Sequence, residues 1–579
     1  MPRYPAHGSG PPMNHVIRSI LCALAITACS TVVGDTPIET TGPGPTTTTT
    51  PATTTTVAEP AQRDCTPVSS GTAPVATGSV AGDALLLSGE IFPCADEVVI
   101  VAETDLNEVA AAAQLAAALG GPLLLPHPQL TAELARLEPL RVHLIGELDV
   151  VTPADAEVLR PTTTEAVRTA RAALDTSEEL RLPAVPDTST IVETISALTR
   201  QNRVVAPQTN PAVAPTTAPS PPVIDPVALI HGLAVPSGTE FAWMVPASQP
   251  LTALSVAAAG RAIGASVVAY DPANVLGYPQ IGPALAGRSP TSVRFVGIDA
   301  PASPWEIATL IRGVQVPGGG FQILPTSHPR RYVAFYGHPV ATGLGALGEQ
   351  GPIETLARMQ PFLAEYAADG AQVIPTFEII ASIASAGPTD GDYSEEWPPE
   401  AFAEWISVAQ DNGVYVILDL QPGREDFLTQ AKQYEELLKL PNVGLALDPE
   451  WRLQPDQVHL QQIGQVDAAE VNTVVDWLST LVRNNGLPQK MLIVHQFKST
   501  MIVDREMLNS TPELQMVIQM DGQGPIPTKD ETYAVLTAGT EDAHWRWGWK
   551  NFFDEDSPET ASPSYTINHA PVPVFVSYQ

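Results

Sequence analysis

Two stretches of the chain share one pattern of apolar and polar positions. Glu97–Pro128 and Glu240–Pro272 each begin with a short apolar run, pass through a polar turn into an alanine-rich segment, and break at a glycine before a second apolar run. Short apolar runs are typical of strands buried on both faces, and the alanine-rich segments have the length of helices. The order strand, helix, strand predicts parallel sheets covered by helices. The pattern therefore predicts an internal α/β repeat.

The pattern after residue 325 is different, because aromatic residues become common and strand signals recur at regular intervals. The eight strand candidates are RYVAFYGHP, AQVIPTFEI, GVYVILDLQ, NVGLALDPE, KMLIVHQFK, LQMVIQMDG, AHWRWGW and PVPVFVSY. The helices predicted between them include Pro352–Asp369, Pro399–Asn412, Arg424–Leu440 and Ala468–Asn485. Eight strands in about 250 residues match a (β/α)8 TIM barrel in number and size. A doubly wound sheet is the alternative, although no glycine-rich phosphate-binding fingerprint follows any strand.

The N-terminal residues have the features of an export signal. Arg18 is followed by a short apolar run, Ser19–Thr27, which is too short to span a bilayer. The end of this run, Ile26–Cys29, resembles the lipobox of bacterial lipoproteins, which implies that Cys29 becomes the lipidated first residue. Ordinary signal cleavage is the alternative, and Met13 is an alternative start to Met1.

Changes in amino-acid composition indicate the domain boundaries in the rest of the chain. Thr, Pro, Gly and Ala dominate after the signal and cannot form a core, so an extended stalk is predicted there. The predicted domains are residues 1–29 for the signal and lipobox, 30–75 for the stalk, 76–325 for the α/β repeat region with a Pro-rich insert at 205–226, and 326–579 for the barrel. The predicted fold class is therefore α/β: parallel-sheet repeats followed by a (β/α)8 barrel.

Charge and cysteine content narrow the choice of partners. The chain has 63 acidic and 29 basic residues and a net charge of −34, which disfavours a nucleic-acid partner because phosphate binding needs a cationic face.

Of the four cysteines, Cys22 leaves with the signal and Cys29 is assigned to the lipid. Cys65 and Cys94 remain, and in an exported protein they predict one disulfide. This count excludes a zinc site of the cysteine type.

The repeat region also resembles a known family. The strand VVIVA, the helix with LAAALGGPLLL and the strand VHLIGELDVV followed by TPAD are similar to the cell-wall-binding repeat type 2 of Gram-positive surface proteins. The resemblance covers Ala81–Leu159 and, more loosely, Pro236–Arg312. It implies attachment to a cell-wall polymer. The alternative is an α/β spacer that binds no ligand.

Polar or aromatic residues end nearly every predicted barrel strand, where the active site of such a barrel lies. These residues are Tyr336, His338, Phe377, Glu378, Asp419, Gln421, Asp448, Glu450, His495, Gln496, Gln519, Asp521, Trp547, Trp549 and Tyr578. Carboxylates and flat aromatic rings in one cleft suit a sugar, because carboxyl groups transfer protons and rings stack on sugar faces. The sequence has no HExxH, no His/Asp cluster at metal-ligand spacing and no GxSxG motif. We therefore expect neither a metal or serine hydrolase nor a cofactor.

Asp448 and Glu450 are the sharpest candidates. Alternate strand residues point to one side, so both carboxyls are expected to face the barrel mouth. Two adjacent negative charges raise the pKa of one carboxyl, which then suits a general acid near neutral pH. The L-D-x-E strand end resembles that of chitinase-like and Chalaropsis-lysozyme-like glycoside hydrolases. The resemblance implies that Glu450 is the proton donor and Asp448 its partner.

The other candidates take supporting roles. Asp521 is assigned to the catalytic group because it is expected to lie near the acid. The predicted substrate-binding residues are Glu378, Asp419, His495, Gln496, Trp547, Trp549 and Tyr578. Strand alternation places Trp451 outside the site.

The sequence therefore predicts a surface-anchored, glycoside hydrolase-like protein that acts on cell-wall or extracellular polysaccharide. A lipid anchor would hold it at the outer face of the cytoplasmic membrane. The alternative is a non-catalytic glycan-binding surface protein, because Gly444 and Ala446 stand where the chitinase-like pattern has further aspartates.

Overall fold

The computed structural model describes most of the chain after residue 62. The described residues are 63–68, 73, 75–102, 106–173, 179–181, 204–206, 241–277, 281, 290–297, 302–388 and 390–579. The predicted signal, the predicted lipidation site Cys29, most of the stalk and most of the Pro-rich insert lie outside them. Among the described residues, none of the helices combines the length and apolarity needed to cross a membrane.

The α-helices of the described residues are Val80–Ile91, Leu106–Leu119, Leu130–Leu137, Thr163–Ala173, Pro250–Ala262, Pro304–Arg312, Pro352–Tyr366, Ala403–Asp411, Phe427–Gln433, Glu435–Leu438, Ala468–Asn484, Ile526–Thr537 and Pro563–Thr566. The strands β1 to β20 are, in order, Glu97–Val101, Leu123–Leu124, Arg141–Ile145, Glu157–Leu159, Glu179–Arg181, Val204–Ala206, Phe241–Pro246, Ser266–Tyr270, Ser292–Phe295, Arg330–Gly337, Gln372–Ala384, Ser394–Glu396, Tyr415–Leu420, Val443–Leu447, Val466–Asp467, Lys490–His495, Ile502–Val503, Leu514–Met520, Arg546–Asn551 and Phe575–Tyr578.

The two predicted repeats form two parallel sheets of similar topology. The first sheet has the order β2-β1-β3-β4 and the second has the order β8-β7-β9. In both, the first strand of the repeat pairs with the next two strands, one on each side. The alanine-rich helices Leu106–Leu119 and Pro250–Ala262 contribute to one buried cluster, because their small side chains allow close packing. The internal repeat predicted from the sequence is confirmed.

The end of the predicted stalk contacts the first sheet region. Cys65 and Cys94 form a disulfide, as the cysteine count predicts. Arg63 forms an ion pair with Asp96 at 2.6 Å. These contacts tie residues 63–65 to the loop before β1.

The barrel is an eight-stranded, closed, parallel sheet. Its strands follow the order β10-β20-β19-β18-β16-β14-β13-β11, and β10 pairs with β11 to close the circle. The short strand β12 adds to β11 in antiparallel orientation. All eight predicted strands are present, and helices separate most of them. The predicted fold class is confirmed, and closure excludes the doubly wound alternative.

One helix joins the repeat region to the barrel. Pro304–Arg312 follows the second sheet and begins with a capping box between Ser303 and Glu306. Its Trp305 Nε1 and Thr309 Oγ1 both donate to the backbone oxygen of Leu487, at 2.9 and 3.1 Å. Leu487 precedes β16, so the helix is fixed to the barrel wall close to a strand of the site.

Strand alternation divides the barrel residues into two faces. Inward side chains such as Tyr332, Tyr415, Ile493 and Val517 form a buried interior cluster. The outward side chains pack with the surrounding helices in a second cluster. Because the period is two, the inward set of each strand continues toward its carboxyl end. The same alternation therefore decides which strand-end residues enter the site.

Candidate active site

Polar residues replace the apolar interior at the carboxyl ends of the barrel strands. On β13 the inward positions run from Tyr415 through Ile417 to Asp419. On β16 they run from Met491 through Ile493 to His495. The inward polar residues gathered there are Tyr336, Glu378, Asp419, Asp448, His495, Gln519, Asp521 and Lys550, and all of them are buried.

His495 lies at the centre of this group and contacts three carboxylates. Its Nδ1 is 2.9 Å from Oδ2 of Asp521, and its Nε2 is 3.2 Å from Oε1 of Glu378. The same Nε2 is 3.8 Å from Oδ1 of Asp419. Burial alone would lower the pKa of His495, but the three carboxylates outweigh it and raise that pKa well above its usual value. His495 is therefore an imidazolium at neutral pH.

Tyr336 and Lys550 form the opposite side of the cluster. Tyr336 Oη donates to Oδ2 of Asp419 at 2.8 Å and accepts from Nε2 of Gln421 at 3.2 Å. The Lys550 ammonium lies 3.4 Å from the centre of the Tyr336 ring, a cation–π contact. Burial raises the pKa of Asp419 to about 6, although His495 acts against it.

The strand that carries the candidate acid ends earlier than the sequence suggests. β14 stops at Leu447, and Pro449–Trp451 forms a 3-10 turn. Asp448 caps this turn, because its Oδ1 accepts the backbone N–H of Glu450 at 3.1 Å. The expectation that Asp448 and Glu450 share a face by strand alternation is thus corrected, since Glu450 lies in the turn. The turn nevertheless brings Glu450 within the electrostatic reach of Asp521, Lys550 and His495.

A close backbone approach holds the turn in place. Gly464 donates its N–H to the backbone oxygen of Glu450 at 2.8 Å. A Cβ atom at Gly464 would lie 2.5 Å from that oxygen and from the oxygen of Pro449, so only glycine fits. The loop after the turn therefore fixes the position of Glu450.

The carboxyl groups of Asp448 and Glu450 both favour the protonated form. Burial raises the pKa of Asp448 well above its usual range, and Asp419, Asp521 and Glu450 add to the effect. Burial and then Asp521 raise the pKa of Glu450 to about 7, against the opposing charges of Lys550, His495 and Lys498. Glu450 is partly exposed, whereas Glu378, Asp419, Asp448 and Asp521 are buried. Glu450 is thus the carboxyl of this group that solvent or a ligand can reach most easily.

Four predicted site residues do not join this cluster. Trp547, Trp549 and Tyr578 face outward, where they pack in the cluster between barrel and helices. Trp547 Nε1 donates to Thr540 Oγ1 at 3.2 Å, and the Tyr578 hydroxyl lies 2.9 Å from that of Tyr366. Gln496 also points away from the interior and accepts from Arg505 at 2.7 Å. Strand alternation is the physical reason, because each residue lies an odd number of positions from an inward residue of its own strand. These inward residues are Lys550 for Trp547 and Trp549, His495 for Gln496, and Phe575 for Tyr578.

Trp451 is the last residue of the 3-10 turn, and its side chain contacts the ring of His459. Its ring meets the His459 ring edge-on at 5.3 Å, and it is partly exposed. Strand alternation does not apply to Trp451, so its exclusion from the site stays a prediction.

Tyr336 and Lys550 belong to the cluster although the sequence assigns neither of them a role in the site. Tyr336 is named there only as a strand-end residue, and Lys550 follows Trp549, which is predicted to bind substrate. The alternation of side chains along the strand could have identified Lys550. Arg546, Gly548 and Lys550 share one side of β19, and the tryptophans share the other.

The cluster also contains residue types that bind metal ions. One nitrogen or oxygen from each of Asp448, His495 and Asp521 lies within 4.8 Å of the other two. A second group, Asp392, Glu396 and Glu425, meets the same distance criterion but is partly exposed and wholly acidic. No metal-ligand spacing is visible in the sequence, because the three buried residues come from different strands.

The fold and the site together define a (β/α)8 barrel with a buried carboxylate–histidine cluster at the carboxyl ends of its strands. No family model matches the chain, and no curated protein matches it. Two solved structures show a weak likeness. Cwp6 from Clostridium difficile is 13% identical over 60% of this chain and 63% of its own, with a TM-score of 0.31. Cwp8 from Clostridium difficile is 14% identical over 42% of this chain and 52% of its own, with a TM-score of 0.31.

The matched regions span less than two thirds of either protein. A TM-score of 0.31 carries no argument about fold or function. The functional assignment therefore depends on the barrel, its cluster and the sequence features.

Proposed function

We propose that the barrel hydrolyses glycosidic bonds of cell-wall or extracellular polysaccharide, with Glu450 as general acid. The observation that carries the proposal is the combination of access and protonation at Glu450. This carboxyl is partly exposed at the barrel mouth, and its pKa is raised to about 7. A general acid must hold its proton near neutral pH and reach the leaving oxygen. The carboxyls of Glu378, Asp419 and Asp521 are buried. They hydrogen-bond to His495 or Tyr336.

The neighbouring residues support the acid in distinct ways. Asp448 holds the turn by accepting the Glu450 N–H, so it acts as the positioning partner. After burial, the charge of Asp521 contributes most to the raised pKa of Glu450, and the charge of Lys550 contributes most against it. His495 balances the negative charge that Glu378, Asp419 and Asp521 bring into the interior.

Hydrolysis by this group adds one water molecule across the bond. Glu450 gives its proton to the glycosidic oxygen as the bond from that oxygen to the anomeric carbon breaks. The water oxygen bonds to the anomeric carbon, and a water proton passes to a second carboxylate, for which Asp521 is the candidate. Transfer of this proton from Asp521 to Glu450, through solvent, restores the starting state.

The surface location and the wall substrate belong to the same proposal. The lipobox-like Ile26–Cys29 and the repeats that resemble wall-binding modules support a lipid-anchored protein at the outer face of the cytoplasmic membrane. The two parallel sheets agree with the α/β fold that the resemblance implies. The proposed domain boundaries, residues 76–325 and 326–579, follow the same division.

A panel of wall and extracellular polysaccharides tests the reaction through the release of reducing ends. Wild type should release them and Glu450→Gln should not, because the amide has no proton to give at neutral pH. Glu404→Gln, on the exposed face of an outer helix, removes one negative charge from a residue outside the cluster and should keep full activity. Hydrolysis by Glu450→Gln at the wild-type rate would refute the role of Glu450.

A non-catalytic glycan-binding function is the second candidate. The observation that favours it is the burial of Asp448, Asp521 and His495, of which Asp521 and His495 contact each other. This function predicts retention on purified cell wall by both wild type and Glu450→Gln, with no reducing ends released by either. The same panel therefore separates the two candidates.

A further inference from the structure

Among the described residues, five carboxyl groups and two cationic side chains come together at the barrel mouth, and Lys498 adds a further positive charge near Glu450. Glu378, Asp419, Asp448, Glu450 and Asp521 carry the carboxyls. The cations are His495 and Lys550, which contact the cluster directly. Buried charge is costly unless it is paired, so the excess negative charge must be offset by protons or by a bound cation.

We propose that Asp448, His495 and Asp521 form a binding site for a divalent first-row transition metal ion such as Zn²⁺ or Mn²⁺. The geometry is the first support. One possible ligand atom from each residue lies within 4.8 Å of the other two. Two ligand atoms that are each about 2.1 Å from one ion can be at most about 4.2 Å apart, so small side-chain rotations close the site.

An unpartnered oxygen is the second, independent support. Asp521 is 7% exposed, and its Oδ1 has no hydrogen-bond partner among the residues that the structure describes. Its other oxygen is occupied by the contact to His495 Nδ1. An uncompensated buried carboxylate oxygen costs free energy, and coordination of an ion would remove that cost.

The surroundings of His495 match those of a metal-bound histidine. Such a histidine donates its second ring N–H to a carboxylate or carbonyl, which fixes the ring orientation. If Nδ1 binds the ion, Nε2 is left to donate to Glu378, whose Oε1 lies 3.2 Å away. One imidazole and two carboxylates favour Zn²⁺ or Mn²⁺ over the alkaline-earth ions, which prefer oxygen ligands alone.

Metal binding by Asp448, His495 and Asp521 is independent of the proposed hydrolysis. In the ion-free protein Asp521 is available as a base, whereas in the ion-bound protein it is a ligand. A ring nitrogen of histidine must lose its proton before it can bind an ion. Metal binding should therefore release protons.

The test uses the metal ion alone, without any glycan. The full chain is treated with a chelator, dialysed, and titrated with ZnCl₂ or MnCl₂ by calorimetry in two buffers of different ionisation enthalpy. We expect saturable binding of one ion per chain with a dissociation constant of about 10 μM or lower, with proton release. Asp521→Asn and Asp448→Asn should lose this binding, and Glu378→Gln should weaken it by about 10- to 100-fold.

Two control variants distinguish loss of the metal site from a general loss of negative charge. Glu425→Gln changes the exposed acidic group and should bind the ion as wild type does. Glu450→Gln should also keep the ion, so loss of hydrolysis and loss of metal binding are separable. Circular dichroism confirms that each variant is folded. Ion binding that survives in both Asp448→Asn and Asp521→Asn, or no saturable binding below about 1 mM, would overturn the proposal.

Discussion

Nδ1 of His495 lies 2.9 Å from Oδ2 of Asp521, and the two residues sit at the ends of the paired strands β16 and β18. The contact joins an imidazolium to a carboxylate in a buried environment. Because the carboxylates raise the pKa of His495 in the folded protein, the folded state binds this proton more tightly than the unfolded state does.

The stability that His495 contributes should therefore depend on pH. It is fully present below the unfolded pKa of about 6.5 and is lost as the pH rises through the higher folded value. Asp521→Asn keeps the shape but removes one of the charges that raise the pKa of His495. In the presence of a chelator, NMR titration of the imidazole should show a lower pKa in Asp521→Asn than in wild type. An unchanged pKa would contradict the contact.

Glu450 should destabilise the folded protein as the pH rises. Its pKa is about 7 in the folded state against 4.5 for the unperturbed group, so the folded state holds the proton more tightly between these values. Stability from this group is thus lost between pH 4.5 and about 7, a loss on the order of 1 kcal/mol after solvent screening. Relative to wild type, Glu450→Gln should become more resistant to urea at pH 8 than at pH 4.5. Parallel pH trends for the two proteins would contradict this prediction.

Lys550 should hold the pKa of Glu450 down. Its charge opposes the rise at Glu450 and also lowers the pKa of Asp419. Lys550→Met removes the charge at similar side-chain length, so the pKa of Glu450 should move above about 7. Carboxyl NMR titration with labelled glutamate measures the shift. Lys439→Met, on the exposed surface beside Glu435 and Glu436, is the control and should leave Glu450 unchanged.

The Tyr336 hydroxyl should contribute directly to stability. It donates to Asp419 and accepts from Gln421, and all three residues are buried. Tyr336→Phe leaves a buried carboxylate oxygen and a buried amide without this partner, which should lower the free energy of unfolding by about 1–3 kcal/mol. Denaturant unfolding measures the loss.

Tyr565 provides a matched control for this substitution. Its hydroxyl also donates to an aspartate, Asp530, at 2.6 Å, but the residue is 42% exposed. Water can replace the lost partner there, so Tyr565→Phe should change stability far less. Equal effects of the two substitutions would show that burial does not set the value of the Tyr336 contact.

The barrel could be predicted from the sequence because its strands are long apolar runs at regular spacing. The helix predicted over Ala468–Asn485 is observed at Ala468–Asn484, where apolar residues recur at helical spacing. Closure into a circle depends on the pairing of β10 with β11 and β20, but the count of eight strands already indicated it.

The site was only partly predictable, for two physical reasons. The sequence locates the strand ends but does not show which residues of each strand point into the barrel. It therefore places Trp547 and Trp549 at the mouth, where the structure has Lys550. Pro449 begins a 3-10 turn instead of continuing the strand, so alternation does not apply to Glu450. The Asp448–His495–Asp521 group also has no sequence signature, because it is assembled by strands that are adjacent in space but separated in the chain.

The helix Pro304–Arg312 has a mechanical consequence. Two of its side chains hydrogen-bond one backbone oxygen, that of Leu487, and Arg312 adds a contact to the oxygen of Asn485. Tension applied through the repeat sheets would reach the barrel wall at this point, a few residues before the strand that carries His495. A force on the N-terminal half of the molecule would thus be transmitted through these hydrogen bonds to the barrel wall next to the candidate active site. A flexible linker would not transmit such a force.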